Sequence, residues 1–354
     1  MLKKNLLNIS PYKFTRREKE YYFKKGIKEL TNFHKKNCKE YKKILLTINT
    51  DNLKKKQLSD FTFLPTNIFK KFDLKSVPKN KVIKKLVSSG TSNNSPSKIY
   101  LDKNNASNQV RVLNIIMSTL VGKQRLPMLI IDQNPKLKNR SILNARSAAI
   151  FGFSIFGKDH TYLLNESGEI DYKLLNNFMK KYCKEKFLIF GFTSLIYKNL
   201  IKKLSKRLVN YDFKNGVLLH GGGWKKLEIL KINNKFFKEK LFEKLGLINI
   251  YNYYGLVEQT GSIFIESKKC GYFHTSNFSD ILIRDDNFQL VKNGSKGLIQ
   301  LLSLLPTSYP GHNILTEDIG QIVGKDNCKC GLKGKYFMVH GRAKNTELRG
   351  CSDI

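Results

Sequence analysis

The sequence has few cysteines and no long apolar run. Six cysteines are spread over 354 residues, and only Cys328 and Cys330 lie close together in the sequence. The chain therefore lacks the dense cysteine framework of a small secreted protein. No stretch approaches the roughly 18 apolar residues of a membrane span, and the first residues lack the apolar core of a signal peptide. We expect a cytoplasmic protein with reduced thiols.

Acidic residues are also scarce, with 28 Asp and Glu against 64 Lys and Arg and a net charge of +36. Such a surplus is typical of proteins that bind nucleic acid or anionic membranes. However, only 10 of the 64 basic residues are arginine, on which base recognition largely depends, and the richness in Asn and Ile indicates an AT-rich coding sequence. We expect no specific nucleic-acid partner. Residues 1–85 carry +17, so a peripheral contact with an anionic membrane surface is expected there.

The length and the apolar content of 41% allow a large buried core. The pattern along the chain predicts an α/β fold in four segments. Residues 1–85 form a basic helical lead-in packed on the core, and residues 86–262 form the α/β core. Residues 263–340 form a smaller β subdomain, and residues 341–354 form a flexible tail. The subdomain is predicted from short apolar runs at Ile281–Ile283, Leu298–Leu304 and Ile319–Val323.

Apolar runs alternate with helical patterns in the core segment, which is the order expected of βαβ units. Lys186–Phe190 predicts a buried strand, and the apolar residues that recur every fourth position from Ile196 to Leu208 predict a helix. Ligands in such sheets bind where strand ends meet helix starts. The next unit repeats this order, with a strand at Gly216–Leu219, a helix at about 225–245 and a strand at Leu247–Tyr253.

A loop rich in small polar residues follows the first apolar run of the core. Its backbone N–H groups and hydroxyls are suited to surround a phosphate chain, with Lys98 as the counter-charge. An ordinary turn rich in Ser, Gly and Asn would have the same sequence pattern, so this alternative stays open. The central residues of the loop are Ser89, Gly90, Thr91 and Ser92.

Three consecutive glycines, Gly221, Gly222 and Gly223, lie between a predicted strand and a predicted helix. Without side chains they let a planar ligand lie against the backbone, and the helix start that follows favours negative charge. The alternative is a steric loop beside a buried Trp224. A turn does not need three glycines, so we favour a binding site.

Two carboxylates and an arginine follow further along the chain. A predicted strand leads from Tyr254 into a turn at Gly255, and Glu258 then projects a carboxylate suited to hold Mg²⁺ beside phosphates. A surface glutamate after a turn is the alternative for Glu258. Asp318 follows a predicted strand and can accept hydrogen bonds from both ribose hydroxyls, and Arg342 can pair with ribose or phosphate oxygens.

The order of these motifs resembles that of adenylate-forming enzymes, the superfamily of acyl-CoA ligases and firefly-type luciferases. Within it, the chain from about Leu53 onwards is similar to the luciferase acyl-protein synthetases of bacterial luminescence operons, the LuxE type. The resemblance implies the core of an adenylate-forming enzyme without the usual C-terminal lid domain. Four stretches carry it: Leu86–Ser92, His220–Lys225, Tyr254–Ser262 and Glu347–Asp353.

The resemblance also implies an ATP-dependent fatty acid:protein ligase that uses Mg²⁺. Thr91 and its neighbours, together with Lys98, would hold the ATP phosphates. The other implied roles are adenine binding for Gly221 to Gly223 and Tyr254, Mg²⁺ binding for Glu258, and ribose binding for Asp318 and Arg342.

Cys351 lies near the end of the sequence, after Arg349 and Gly350. The resemblance implies that its thiol receives the activated acyl group as a thioester and delivers it to a partner acyl reductase. Ligases that use coenzyme A carry a lid domain after their Gly-Arg hinge, whereas only 12 residues follow Arg342 here. A tethered cysteine is therefore the expected acceptor, and a dispensable cysteine at a frayed end is the alternative.

Two other functions would explain part of these observations. An adenylate-forming acyl- or aryl-CoA ligase of surface polysaccharide or lipid biosynthesis would have the same core motifs. A non-enzymatic polyanion-binding module would explain the positive charge but would leave the ordered glycine motifs unexplained. The sequence is compatible with an oligomer.

A separate group of residues has the composition of a metal site. Cys328 and Cys330 precede Gly331, and Cys270 and His274 lie in another predicted turn. Four nitrogen and sulfur ligands would complete a structural Zn²⁺ site. Reduced cysteines in turns are common, so the alternative without a metal stays open.

Overall fold

The computed structural model divides the chain into two compact units. The first contains the described residues of Met1–Ile116, Ser141–Asn144 and Gly255–Glu347, and the second contains those of Met117–Arg140 and Ala145–Tyr254. The first unit is therefore assembled from distant parts of the sequence. The structure describes residues 4–48, 57–88, 95–135, 142–204, 212–222 and 232–343.

Strands and helices are distributed along the whole described chain. The strands are β1 (Leu64–Pro65), β2 (Val82–Val87), β3 (Lys98–Asp102), β4 (Leu126–Gln133), β5 (Ile142–Asn144), β6 (Gly157–Leu164), β7 (Phe187–Phe192), β8 (Gly216–Gly221), β9 (Asn249–Tyr254), β10 (Phe264–Glu266), β11 (Phe273–His274), β12 (Ser279–Arg284), β13 (Lys296–Ser303), β14 (Asn313–Lys325) and β15 (Lys335–Arg342). The helices are α1 (Arg16–Asn37), α2 (Lys39–Thr47), α3 (Ile68–Lys71), α4 (Lys103–Val121), α5 (Ala145–Ser154), α6 (Tyr172–Tyr182), α7 (Thr193–Ile196) and α8 (Asn234–Leu245). A π-helical segment spans Tyr197–Lys203, and 3₁₀ turns lie at Lys4–Asn8, Leu58–Asp60, Lys79–Lys81 and Val257–Gln259.

The second unit is built on a parallel sheet with the strand order β9-β8-β7-β4-β6. Every residue of β7 is buried, as expected for a central strand that is covered on both faces. Helix α6 begins at the N-cap Asp171, and α8 begins at the N-cap Asn233 and ends at the left-handed Gly246. Parallel pairing places the carboxyl ends of all five strands at one edge, where ligands bind in such sheets.

The first unit contains an antiparallel sheet with the order β12-β13-β14-β15-β11-β10, and β1 pairs in parallel with β14. A smaller sheet has the order β3-β2-β5. The long hairpin of β14 and β15 places Asp318 opposite Arg342. Next to this pair the register shifts, so that His340 is an extra residue on β15, and Gly341 adopts a φ of +103°. Such a bulge bends the strand and favours glycine.

Helix α1 packs onto the antiparallel sheet of the same unit. It begins with a capping box in which Thr15 and Glu18 bond each other's backbone N–H. Its buried Phe23 lies in one hydrophobic cluster with Leu304. A β-carbon at Gly26 would lie 2.5 Å from Leu304 Cδ2, so a glycine is needed for this close approach.

The α/β class predicted from the sequence is confirmed. The three apolar runs predicted as subdomain strands fall within β12, β13 and β14. In the part of the chain that the structure describes, no helix combines the length and the hydropathy needed to cross a membrane.

Candidate functional site

In the second unit, the predicted glycine turn lies at the carboxyl end of β8. Gly221 is the last residue of that strand, and a β-carbon there would lie 2.5 to 2.7 Å from ring atoms of Tyr253. Gly221 therefore accommodates the ring of Tyr253. Gly222 follows with a φ of +63°, and a β-carbon there would lie 3.5 Å from Phe192 Cδ1. Gly223 lies outside the described residues.

Aromatic rings surround the backbone at this strand end. The ring centroid of Tyr253 lies 4.9 Å from that of Phe153 and 6.4 Å from that of Phe190, onto which it stacks. The next residue, Tyr254, ends β9 and is partly exposed. Phe153 and Phe190 are buried, so they pack beneath the strand end, and Tyr253 and Tyr254 are the partly exposed rings beside the glycines.

His220 is buried directly before the glycines. Its Nδ1 lies 2.9 Å from the hydroxyl of Thr193, at the carboxyl end of the neighbouring β7, and its ring centroid is 4.8 Å from that of Phe237. Burial lowers the pKa of His220 to about 3. The imidazole is therefore neutral at physiological pH, and we assign it a packing role.

In the first unit, Glu258 lies in the 3₁₀ turn Val257–Gln259 and is buried. Burial raises the pKa of its carboxyl, and the hydroxyl of Ser97 and the charges of Lys70 and Arg342 oppose that rise. The next side chain fixes the turn, because Gln259 Nε2 donates to the carbonyl oxygen of Gly311 at 2.9 Å. Glu258 is therefore a positioned carboxylate among cationic groups.

The predicted ribose-binding residues face each other across the β14–β15 hairpin. Arg342 Nε lies 3.5 Å from Asp318 Oδ1, and Arg342 Nη1 lies 3.2 Å from Glu317 Oε2. The backbone N–H of Asp318 donates to the hydroxyl of Thr316 at 3.1 Å, and that hydroxyl donates to the carbonyl oxygen of Ile299 at 2.9 Å. Both members of the pair are only partly accessible, with 13% of the Asp318 side chain and 24% of the Arg342 side chain exposed. Thr316, Glu317 and Asp318 form a Thr-x-Asp motif in which the threonine holds the aspartate in place.

The predicted phosphate loop is described only at its base. The backbone N–H of Ser88 donates to the carbonyl oxygen of Ser97 at 3.0 Å, and the N–H of Ser97 donates to the Ser88 hydroxyl at 2.8 Å. Lys98 lies just after this base, and its ammonium is 3.3 Å from Asp73 Oδ1. The loop residues Ser89, Gly90, Thr91 and Ser92 lie outside the described residues, as does Cys351.

Three residues that were not predicted as site residues interact with Glu258. Lys70 lies on α3, which is brought there by the pairing of β1 with β14. Ser97 lies at the end of the phosphate loop. Tyr309 is buried, and both its burial and the charge of Glu258 raise the pKa of its hydroxyl. Lys70 and Tyr309 lie outside the predicted motifs, whereas Ser97 directly precedes Lys98 at the end of the predicted loop.

The donor set in the first unit fits a magnesium nucleotide. Carboxylate oxygens such as those of Glu258 are the ligands that Mg²⁺ prefers, and Asp318 supplies acceptors for hydroxyl groups. The guanidinium of Arg342 can bind ribose or phosphate oxygens with paired N–H donors. Arg342 lies 3.5 Å from Asp318 Oδ1, and its charge also acts to lower the pKa of Glu258.

The predicted metal ligands also come together in the first unit. Cys270 and His274 lie at the turn between β10 and β11, and Cys328 and Cys330 lie in the turn between β14 and β15. Their four ligand atoms lie within 4.8 Å of one another. Strand β11 pairs with β15, with His274 opposite Tyr336, which explains how the two turns meet.

The structure is similar to solved structures of adenylate-forming ligases. A 2-hydroxyisobutyryl-CoA ligase, in an open conformation with 2-HIB-AMP and CoA, aligns over 94% of this chain and 76% of its own, with 12% identity and a TM-score of 0.69. The same ligase in the postadenylation state with R3-HIB-AMP aligns over 94% of this chain and 69% of its own, with 11% identity and a TM-score of 0.67. The shared fold is the one predicted from the order of the motifs.

The sequence comparisons give a narrower result. No curated protein matches the sequence. The family model described as acyl-protein synthetase, LuxE, matches residues 2–354. This match covers nearly the whole chain and confirms the resemblance inferred from the motifs, and the chain therefore belongs to the LuxE acyl-protein synthetase family.

Proposed function

We propose that the protein is an ATP-dependent fatty acid:protein ligase that loads an acyl group onto its own Cys351. The observation that carries the proposal is the family match over residues 2–354. The first unit supports it in two ways. Asp318 and Arg342 form a pair, and the charge of Arg342 acts on the buried Glu258; the chemistry of the three side chains suits a magnesium nucleotide.

The proposal assigns a role in ATP binding to each predicted site residue. Asp318 accepts hydrogen bonds from the ribose hydroxyls, and Arg342 donates to ribose or phosphate oxygens. Lys98 and the loop from Ser89 to Ser92 bind the phosphates. Mg²⁺ bound at Glu258 would neutralise negative charge on the phosphates. Adenine binding is assigned to Gly221, Gly222, Gly223, Tyr254 and Gly255.

The proposed reaction has two steps, adenylation of the acid and transfer of the acyl group to the thiol. A fatty acid carboxylate attacks the α-phosphorus of ATP, a P–O bond forms, and pyrophosphate leaves. The product is a mixed anhydride, so its carbonyl carbon is open to attack by a thiolate. The Cys351 thiol loses its proton, its sulfur forms the thioester, and AMP leaves.

Further parts of the proposal concern the context of the reaction. A partner acyl reductase would receive the acyl group, as the family membership suggests. A cytoplasmic location and the four sequence segments, 1–85, 86–262, 263–340 and 341–354, are also proposals.

Intact-mass spectrometry tests the proposal directly. The protein is incubated with ATP, Mg²⁺ and a panel of carboxylic acids that includes long-chain fatty acids. We expect an acyl adduct that hydroxylamine removes, and we expect Cys351→Ser to lose the adduct and keep acid-dependent ATP–pyrophosphate exchange. The matched control is Cys183→Ser, which replaces a half-buried cysteine after α6 and should keep the adduct.

Other outcomes would contradict the proposal in different ways. An adduct that survives Cys351→Ser would assign the acyl group to another nucleophile. Formation of acyl-CoA without a protein adduct would support the coenzyme A ligase instead. Absence of any acid-dependent exchange across the panel would refute the ligase and leave the polyanion-binding module.

A further inference from the structure

Four potential metal ligands meet between two hairpin turns of the first unit. His274 Nε2 lies 3.3 Å from Cys270 Sγ and 3.3 Å from Cys330 Sγ. The Sγ atoms of Cys328 and Cys330 are 3.3 Å apart. A disulfide has an S–S bond of about 2.05 Å, so these two cysteines are free thiols that are held in contact.

These distances are close to those of tetrahedral zinc coordination. With Zn–S bonds of about 2.3 Å and Zn–N bonds of about 2.05 Å, neighbouring ligand atoms are about 3.5 to 3.8 Å apart. Three of the separations are 3.3 Å, slightly shorter than this range, and all four ligand atoms lie within 4.8 Å of one another. Three sulfurs and one imidazole nitrogen are also the ligand types that favour zinc over magnesium or calcium.

The backbone of the second turn brings its two cysteines together. The N–H of Gly331 donates to the carbonyl oxygen of Cys328 at 2.9 Å, and Gly331 adopts a φ of +85°. A left-handed residue, which favours glycine, reverses the chain direction within a few residues at this point. The sulfurs of Cys328 and Cys330 therefore lie next to each other in the turn.

We infer that Cys270, His274, Cys328 and Cys330 form a structural Zn²⁺ site. Four protein ligands complete the tetrahedron and leave no position for substrate, which is the arrangement of structural rather than catalytic zinc. Binding replaces thiol protons by the metal and involves no oxidation or reduction, so it needs only the ion and a base such as water or buffer.

The location of the site supports a structural role. Strand β14 continues for about seven residues from Asp318 to Lys325, just before the cysteine turn. At about 3.3 Å per residue, the cluster lies about 23 Å along the hairpin from Asp318. Asp318 and Arg342 lie on strands β14 and β15. The zinc would therefore stabilise the turn that connects these two strands.

Pro11 and Tyr12, near the start of the chain, contact the residues around the same two turns. The N–H of Lys333 donates to the carbonyl oxygen of Tyr12 at 3.1 Å, and the N–H of Asn277 donates to the carbonyl oxygen of Pro11. The ring of Tyr12 meets the imidazole of His274 edge-on, at 6.5 Å between centroids. Zinc would thus join two hairpin turns and the segment that leads into α1.

Metal analysis of the full-length protein tests the inference. The protein is purified without a metal-affinity tag, and zinc is measured by inductively coupled plasma mass spectrometry. We expect about one zinc per chain, and at least a tenfold loss in Cys328→Ser and in His274→Ala. Cys183→Ser is the matched control and should keep the metal. Equal zinc content in Cys328→Ser and wild type would overturn the inference.

A second measurement uses the wild-type chain, because loss of a ligand can unfold a zinc-bound structure. Zinc is exchanged for Co²⁺, and the visible spectrum is recorded. We expect the intense bands of tetrahedral Co²⁺ together with thiolate charge-transfer absorption, and a lower midpoint of thermal unfolding after chelation. An octahedral spectrum, or a Cys328–Cys330 disulfide in the freshly purified protein, would refute the site. Neither experiment involves ATP or a fatty acid, so the result does not depend on the ligase activity.

Discussion

The protein should lose stability below pH 6.5 because two stacked histidines are buried in the first unit. The ring centroids of His34 and His312 are 4.9 Å apart, and both side chains are at most 1% exposed. His34 Nε2 donates to the carbonyl oxygen of Pro306 at 3.1 Å, and its Nδ1 accepts from the hydroxyl of Ser76 at 2.7 Å. This pairing fits the neutral imidazole. Burial lowers the pKa of His34 to about 3 and that of His312 well below its usual range.

The size of this stability loss follows from the linkage between histidine protonation and folding. The folded pKa of each histidine lies below the ordinary value of 6.5, which we take for the unfolded chain. The stability is therefore fully present above pH 6.5 and is lost as the pH falls towards the folded pKa. Each pH unit in this range removes about 1.4 kcal/mol per histidine. At pH 5.0 the loss from His34 is about 2 kcal/mol, a substantial part of a typical folding free energy of about 5 to 15 kcal/mol.

The variant His34→Gln isolates one of the two contributions. Urea unfolding followed by circular dichroism gives the free energy of unfolding of variant and wild type at pH 7.5 and 5.0. The variant should be less stable at pH 7.5, and the difference should shrink by about 2 kcal/mol at pH 5.0 because only the wild type carries the His34 penalty. The control His160→Gln, at an exposed position, should keep the wild-type dependence on pH. Parallel curves for His34→Gln and wild type would refute the reasoning.

Three further predictions concern the candidate site. Glu258→Gln should reduce ATP–pyrophosphate exchange at least 100-fold, yet be as stable as wild type at pH 7.5 in thermal unfolding. The folded pKa of Glu258 is raised, so its charged form costs stability above its ordinary pKa; a strongly destabilised variant would contradict this. Asp318→Asn should reduce exchange by about 10² to 10³-fold, and unchanged exchange would remove Asp318 from the site. Gly221→Ala should lower the free energy of unfolding by about 1 to 3 kcal/mol through overpacking against Tyr253. Gly152→Ala, with open space around its β-carbon in α5, should instead stabilise by about 0.5 to 1 kcal/mol, and equal effects would argue against the steric role of Gly221.

Local sequence patterns predicted the parallel strands well. The predicted strands at 186–190, 216–219 and 247–253 correspond to β7, β8 and β9 within a few residues. The helix after β7 was predicted, but its type was not. Ile196, Leu200 and Leu204 are fully buried, and a repeat of four positions is compatible with an α-helix and with the wider π-helical turn, so the spacing did not distinguish the two.

Long-range pairing explains what the sequence did not predict. Lys70 and Ser97 approach Glu258 from segments more than 150 residues earlier in the chain, and no local periodicity records this. The packing of Tyr253 against Gly221 was also missed, because a ring across a neighbouring strand leaves no pattern near the glycine. The motif Thr-x-Asp and the following Gly-Arg could be found because each is contiguous and their order is specific.

The composition of the first unit from distant segments has a consequence for synthesis of the chain. The N–H of Phe14 donates to the side chain of Asn277, 263 residues later. At roughly 5 to 20 residues per second, a ribosome takes about 13 to 50 s to make that stretch. The strands of the second unit lie between these two residues and can fold as they emerge. The apolar face of helix α1 stays uncovered until β13 has been synthesised. During that interval the nascent chain is a substrate for chaperones and proteases.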